Sequence, residues 1–502
     1  MEDNDTNSGR PALHRNPDSG DVLTGSERNN FTGLAGDWAR ALAANLSQTE
    51  NDMPNYYLKD PFGLVTTSFI HSMQVGTGES IFEQTLSRIE NARFEVIFVT
   101  CFWAKSSSLD KLSKSLKALS SKSLRNSNQG SSKIRVRIGF SSRSICQKLL
   151  HTNSVEGHVY SPSDWSTKLG LPDQSELTGL DLEIKSIFVK PFSVMHPKFV
   201  IIDRQLVFLP SCNVSWENWF EGCLAMSGPI VGNFVQFWYK FWNRDRGGLP
   251  AIGSHVTEDV PAMALHRRLS VVQETPVWMS YFTNSIGVEI PTVFLPSPHH
   301  ANPRFQPIPG LKAPRPPTTP LNVFLEKLFE RANFEIYIQT PNLTCPVVLE
   351  ALLAALDRGV DVCILTSERL MVLEQLGTAA TTTSREMKKL VRKYQKLLKL
   401  AGPTEVENGG TANHQPGRLS INYFEPPADA DAAGPVQSHL KLTMVDEEFV
   451  VLGSGNMDRA SWYTSQELGV AFWSSEVAAD IQRLVKANMV RSTKIFYPKP
   501  RR

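Results

Sequence analysis

The sequence predicts an α/β protein made of two copies of one unit, and three observations carry that reading. Helix-like and strand-like stretches alternate from about Trp38 onward. The passage IENARFEVIFVT (89–100) aligns with FERANFEIYIQT (329–340). A five-residue polar pattern then occurs twice at one spacing, farther down each copy.

Residues 1–35 hold few apolar and almost no aromatic side chains, so burial cannot offset their ordering entropy and they are expected to form a disordered tail. The first unit is then assigned to 36–243. Within it FEVIFVT (94–100) reads as a buried strand, SLDKLSKSLKAL (108–119) as an amphipathic helix, and KIRVRIGF (133–140) alternates at period two. A connecting segment is assigned to 244–320. Its 291–320 stretch is read as a linker because ten prolines in thirty residues exclude a regular helix or a central strand. Beyond it the rhythm returns, and 321–502 forms the second unit. The aligned passages share Glu90/Glu330, Ala92/Ala332, Phe94/Phe334, Glu95/Glu335 and Thr100/Thr340.

The repeated pattern is H-x-K-x4-D-x7-S-x-N. His196, Lys198, Asp203, Ser211 and Asn213 are matched by His439, Lys441, Asp446, Ser454 and Asn456. The histidines lie 243 residues apart and the aligned passages 240, so order and register are both kept. Each copy also has a glutamate after its Asn, Glu221 and Glu467. HPKFVIID and HLKLTMVD read as strands, so His and Lys, two apart, share a face. The Asp falls at the strand end, in a turn where its carboxylate can bond nearby backbone N–H groups. The returning hairpin strands bring Asn213 and Asn456 beside the histidines.

Two histidines, two lysines and two asparagines without a carboxylate ligand set suit an anionic phosphodiester better than a metal. Lysine binds phosphate as a point charge, and amide N–H groups donate to oxygens that gain charge in the transition state. One imidazole can attack phosphorus while the other, protonated, gives its proton to the departing alkoxide. A glutamate on the far ring nitrogen of each His would fix its tautomer, and Glu221 and Glu467 are the candidates.

These residues resemble the phospholipase D superfamily, whose signature is a doubled H-x-K-x4-D motif followed by G-S-x-N. The resemblance covers roughly residues 80–490. It implies two pseudo-twofold-related α/β sandwich halves, each with a mixed central sheet flanked by helices, sharing one active site within the chain, so that no oligomer is required. It also implies a covalent phosphohistidine, with His196 as nucleophile, His439 as acid/base, and Lys198, Lys441, Asn213 and Asn456 holding the phosphate. No cofactor and no metal are expected. The first copy departs from the pattern at Pro210, where the family has Gly; the second keeps Gly453. The stretch GSGNMDRASWYTSQELGVAF looks like the cardiolipin-synthase and phosphatidyltransferase branch. Tyrosyl-DNA phosphodiesterases lack the Asp that both copies have here. The implied reaction passes the phosphatidyl group of a glycerophospholipid to water or an alcohol; the alternatives are a nuclease-type phosphodiesterase and an inactive membrane-associated scaffold of the same fold.

Composition bears on partners. Lys plus Arg number 52 against 50 Asp plus Glu, a net charge of +2, which disfavours a nucleic-acid partner. The six cysteines form no C-x-x-C pair, as expected of a reduced compartment. The N-terminus has neither the apolar core of a signal peptide nor the composition of a transit peptide, and no apolar stretch reaches spanning length, so a cytoplasmic protein peripheral to membranes is expected. One candidate contact is the helix predicted at 383–400, where seven cations against Glu386 give +6. Trp216 and Trp219, just after Asn213, are another. The aromatic stripe Phe234, Phe237, Trp238, Phe241, Trp242 reads as core, and His299-His300 as an exposed loop pair.

Overall fold

A computed structural model describes residues 25–44, 52–127, 132–143, 156–188, 194–244, 280–283, 287–299, 315–401, 415–426, 434–489 and 492–498. The strands are β1 (Val65–Gly76), β2 (Glu95–Phe102), β3 (Ile134–Ser142), β4 (His158–Val159), β5 (Leu180–Ser186), β6 (Phe199–Ile202), β7 (Leu206–Pro210), β8 (Trp219–Ser227) and β9 (Ser280–Thr283). They continue with β10 (Ile290–Ser297), β11 (Glu335–Thr340), β12 (Asp361–Thr366), β13 (Leu419–Phe424), β14 (Gln437–Ser438), β15 (Leu442–Val445), β16 (Phe449–Gly453), β17 (Glu467–Trp473) and β18 (Thr493–Tyr497). The helices are α1 (Gly25–Ala43), α2 (Gly78–Ile89), α3 (Ser107–Ser127), α4 (Pro162–Leu169), α5 (Ile230–Trp238), α6 (Pro320–Arg331), α7 (Pro346–Asp357), α8 (Val372–Ala379), α9 (Thr383–Ala401), α10 (Arg459–Tyr463) and α11 (Ser475–Met489).

The strand order repeats. In the first unit it runs β1, β8, β7, β6, β2, β3, β5, antiparallel as far as β2 and parallel beyond. In the second it runs β10, β17, β16, β15, β11, β12, β13 with the same directions. The two equivalent edge strands, β1 and β10, pair antiparallel from Val65↔Val293 to Ser68↔Ile290, so the two mixed sheets join where a pseudo-twofold would place them. Side chains alternate between two buried layers. Val96 and Phe98 pack outward with Phe82 and Leu116 of α2 and α3, whereas Ile97 and Val99 pack inward with Phe234 and Phe237 of α5 and with the second unit. The aromatic stripe is therefore core, with Phe234 edge-on to Phe294 at 4.9 Å.

Two boundaries differ from the sequence expectation. Residues 25–35, assigned to the tail, belong to α1. Its Leu34 and Trp38 are 1% and 0% exposed, and Trp38 Nε1 donates to the Pro320 carbonyl at 2.9 Å. A polar average over the segment hid an apolar stripe at helical spacing, Phe31, Leu34, Ala35, Trp38 and Leu42. The proline-rich 291–320 segment, read as linker, contains most of β10, which lies between β1 and β17 and is therefore central. Each proline is tolerated because it sits where only one neighbour is in register: Pro291 opposite Thr67 of β1, before pairing with β17 starts, and Pro296 opposite Leu468 of β17, after pairing with β1 stops.

The motif aspartates close the duplicated turns. Asp203 and Asp446 have φ of 51° and 54°, each followed by another residue at positive φ, Arg204 and Glu447. The donors to their carboxylates are not local. Asp203 accepts from the backbone N–H of Arg93, Phe94 and Glu95 at 2.8–2.9 Å; Asp446 accepts from Asn333, Phe334 and Glu335 at 2.7–3.0 Å. Both passages thus present the same N–H row at the head of β2 and β11. Alanine at Asp203 or Asp446 leaves three donors without their acceptor and should cost about 2–4 kcal/mol of unfolding free energy in urea titration.

Candidate active site

The histidine strands begin later than their alternation suggests. β6 starts at Phe199 and β15 at Leu442, so His196, Lys198, His439 and Lys441 all precede them. What fixes each histidine is the opposite unit. The His196 backbone N–H donates to the Gln466 carbonyl at 3.0 Å, and Gln466 N–H returns a bond to Val194. The His439 backbone N–H donates to Phe220 at 2.8 Å, and β14 pairs in parallel with the start of β8. Gln466 and Phe220 are the residues immediately before the two glutamates.

The side chains cross in the same way. His196 Nδ1 bonds Glu467 Oε2 at 2.8 Å, and His439 Nδ1 bonds Glu221 Oε1 at 2.7 Å. Each histidine thus takes its carboxylate from the other copy, which leaves Nε2 of both rings for chemistry. The motif serines orient the carboxylates: Ser211 Oγ donates to Glu221, and Ser454 Oγ donates to Glu467 at 2.5 Å. Each serine oxygen in turn accepts a backbone N–H, from Gly222 at 2.9 Å and Leu468 at 3.0 Å. The lysines are buried, and each Nζ donates to its own histidine's carbonyl, Lys198 at 3.0 Å and Lys441 at 2.6 Å.

The asparagine loops explain the shared threonines. Thr100 Oγ1 accepts from Val214 N–H and Thr340 Oγ1 from Met457 N–H, the residues just after Asn213 and Asn456. Asn213 Oδ1 accepts from Phe102 N–H at 3.2 Å, which fixes the amide by its oxygen end. Asn456 Nδ2 donates to Asp458 at 3.0 Å. Sequence reasoning missed that Asp458 and also Ser461, which donates to Glu467 at 2.7 Å and accepts from Asn456 N–H at 3.1 Å. Both stand in the quoted GSGNMDRAS stretch; their signal was proximity to Asn456, without a partner copy in the first unit to single them out.

Electrostatics follow from burial and pairing. Burial pushes the Glu221 and Glu467 carboxyls up, but the imidazole each faces and the serine bonds outweigh it and hold both below the usual carboxylate range. Burial pulls His196 and His439 down against their glutamates' attraction. Burial also lowers Lys441 to about 7, with Glu221 opposing and Lys198 assisting. Lys441 is then cationic below about pH 7 and neutral above it. Binding of a phosphate mimic such as tungstate should be tightest below pH 7 and weaken as pH rises through it, and Lys441→Met should flatten that dependence, as isothermal titration would show.

Of the other candidates, Trp219 packs on His439, ring centroids 4.6 Å apart, and forms a wall of the site. Trp216 is 62% exposed and meets Phe102 edge-on. His299 is not exposed as expected: it is fully buried, its Nδ1 bonding Ser297 at 3.2 Å, because it directly follows the core strand β10. His300 lies outside the described residues. Among the described residues no three His, Cys, Asp or Glu side chains gather as metal ligands, and no helix is long and apolar enough to cross a membrane.

Residues 325–489 match the family described as cardiolipin synthase, PLD-like domain. No curated protein matches the chain by sequence. Among solved structures, the phosphatidylserine synthase of Haemophilus influenzae Rd KW20 shares the fold at 14% identity and a TM-score of 0.52, over 87% of this chain and 91% of that one. Weaker likenesses are to the polyphosphate kinase of Porphyromonas gingivalis, at 10% identity and TM-score 0.43 over 85% of this chain and 48% of that one, and to Nuc, a phospholipase D family member of Salmonella typhimurium. Nuc has 16% identity and TM-score 0.25, over 41% of this chain and 97% of that one. The family match over the second unit, taken with the doubled motif and the repeated strand order, makes this chain similar to the phospholipase D superfamily.

Proposed function

We propose that the protein cleaves a glycerophospholipid at the distal phosphodiester bond and transfers the phosphatidyl group to water or an alcohol. The crossed His–Glu pairs carry this reading: two imidazoles, each held through Nδ1 by a buried carboxylate, present two Nε2 atoms beside two lysines. His196 Nε2 attacks phosphorus and the bond to the head-group oxygen breaks, with His439 giving its proton to that oxygen. His439 then takes a proton from water or alcohol, whose oxygen attacks phosphorus and breaks the His196–phosphorus bond. The incoming phosphodiester anion raises the acidic histidine's proton affinity, which burial alone depresses. Lys198, Lys441, the NH2 group of Asn213 and the Asn456 amide hydrogen that Asp458 does not take are directed to the non-bridging oxygens. Requiring one neutral and one protonated imidazole, the reaction should show a bell-shaped pH profile.

The test is incubation with phosphatidylcholine or phosphatidylglycerol plus a primary alcohol. Phosphatidyl-alcohol formed by the parent protein and absent with His196→Ala supports the reading. Cleavage of single-stranded DNA without lipid turnover overturns it in favour of a nuclease, and turnover of neither overturns it in favour of a scaffold.

A further inference from the structure

The second unit carries a surface that the site chemistry does not use. α9 is amphipathic, and Met387, Leu390 and Tyr394 are buried beneath it. Its outer face holds Arg385, Lys388, Lys389, Arg392, Lys393, Lys396 and Lys399, all exposed. Among the described residues only Lys389 of these is ion-paired, to Glu386. Leu398, at the end of the apolar stripe, is 39% exposed, and Leu400, among the cations of the outer face, is 85% exposed. Just before it, α8 buries only Gln375, while Leu373 is 86% and Leu376 39% exposed. Six cations without an ion-pair partner among the described residues, alongside projecting alkyl side chains, are poorly matched to water.

We infer that α8 and α9 form a docking surface for an anionic phospholipid bilayer. The cations match anionic head groups, and the leucines have acyl chains to enter. Single-stranded nucleic acid would instead favour exposed aromatic rings among the cations, and the exposed large hydrophobic side chains here are Leu373, Leu376, Leu398, Leu400 and Met371. The surface is tied to the site. Thr383, first residue of α9, is fully buried and accepts Leu343 N–H through Oγ1 at 3.0 Å, and Leu343 bridges Met457 in parallel, beside Asn456. The start of α9 is therefore linked to the Asn456 loop through Thr383 and Leu343. The inference rests on the lipid reading of the site for its purpose, though not for its binding.

The test is co-sedimentation of the full chain with phosphatidylcholine vesicles made with and without phosphatidylglycerol. The parent should partition onto the anionic vesicles, and Lys388→Glu/Arg392→Glu/Lys396→Glu should lose about 100-fold of that partitioning. Leu373→Ser/Leu376→Ser, on the other helix, should lose about 10-fold. Both variants should turn over monomeric short-chain phosphatidylcholine at the parental rate while losing activity on vesicle lipid. The inference is overturned if the variants sediment like the parent, or if the parent binds single-stranded DNA and no vesicles. Vesicle binding that responds to the substitutions, in a protein inactive on every lipid, would uphold the surface and remove the reaction.

Discussion

Alanine at either His196 or His439 should lower turnover by about 10⁴-fold or more, and the double variant should be no worse than the more damaged single one. Groups that act as a unit lose their function together, so their effects do not add. The prediction is sharper than inactivation because the two steps differ. With His439→Ala, His196 can still attack when the leaving group departs unprotonated, so a phosphatidyl ester with a nitrophenol-type leaving group should recover much of the first step. With His196→Ala it should recover none. Rapid-quench measurement of the leaving group, with trapping of acid-labile phosphate on the protein, checks both; equal recovery would reverse or remove the assigned roles.

The second large effect concerns the glutamates. Glu467→Gln and Glu221→Gln should each cost about 10²–10⁴-fold in rate, the range of a positioned acid–base group. The damage should cross between the units. An amide in place of the Glu467 carboxylate cannot hold the His196 ring in the tautomer that exposes a basic Nε2, so Glu467→Gln should slow formation of the covalent species. Glu221→Gln should slow the steps in which His439 gives or takes a proton, and a good leaving group should restore the first of them. Both variants keep the carboxyl's shape and its serine neighbours, so circular dichroism and urea stability should stay near the parent's. A pattern in which each substitution damages the histidine of its own copy would contradict the 2.7 and 2.8 Å bonds.

Much of this site was legible in the chain because its chemistry is written twice. The identical spacing of His, Lys, Asp, Ser and Asn names the polar set, and the later glutamates follow from what an imidazole needs. What the chain does not display is which glutamate serves which histidine. Proximity in sequence favours Glu221 for His196, yet the backbone bonds from His196 to Gln466 and from His439 to Phe220 set the opposite pairing. That crossing depends on how two sheets dock, and spacing within one copy carries no information on docking. The strand misreadings have a similar cause. A proline taken singly is a strand breaker, whereas β10 admits Pro291 and Pro296 because each falls outside one neighbour's register. The proline-rich context of His299 suggests an exposed loop, and its burial comes from a strand that the same context conceals.

The crossed carboxylates have a genetic consequence. Duplication ordinarily supplies a spare that can drift while the original keeps working. Here neither copy is a spare, for each finishes the other's histidine: a lesion at Glu221 disables a residue 218 positions away, and one at Glu467 reaches back 271. No half-active molecule is available to selection, so the two copies must be retained together or lost together.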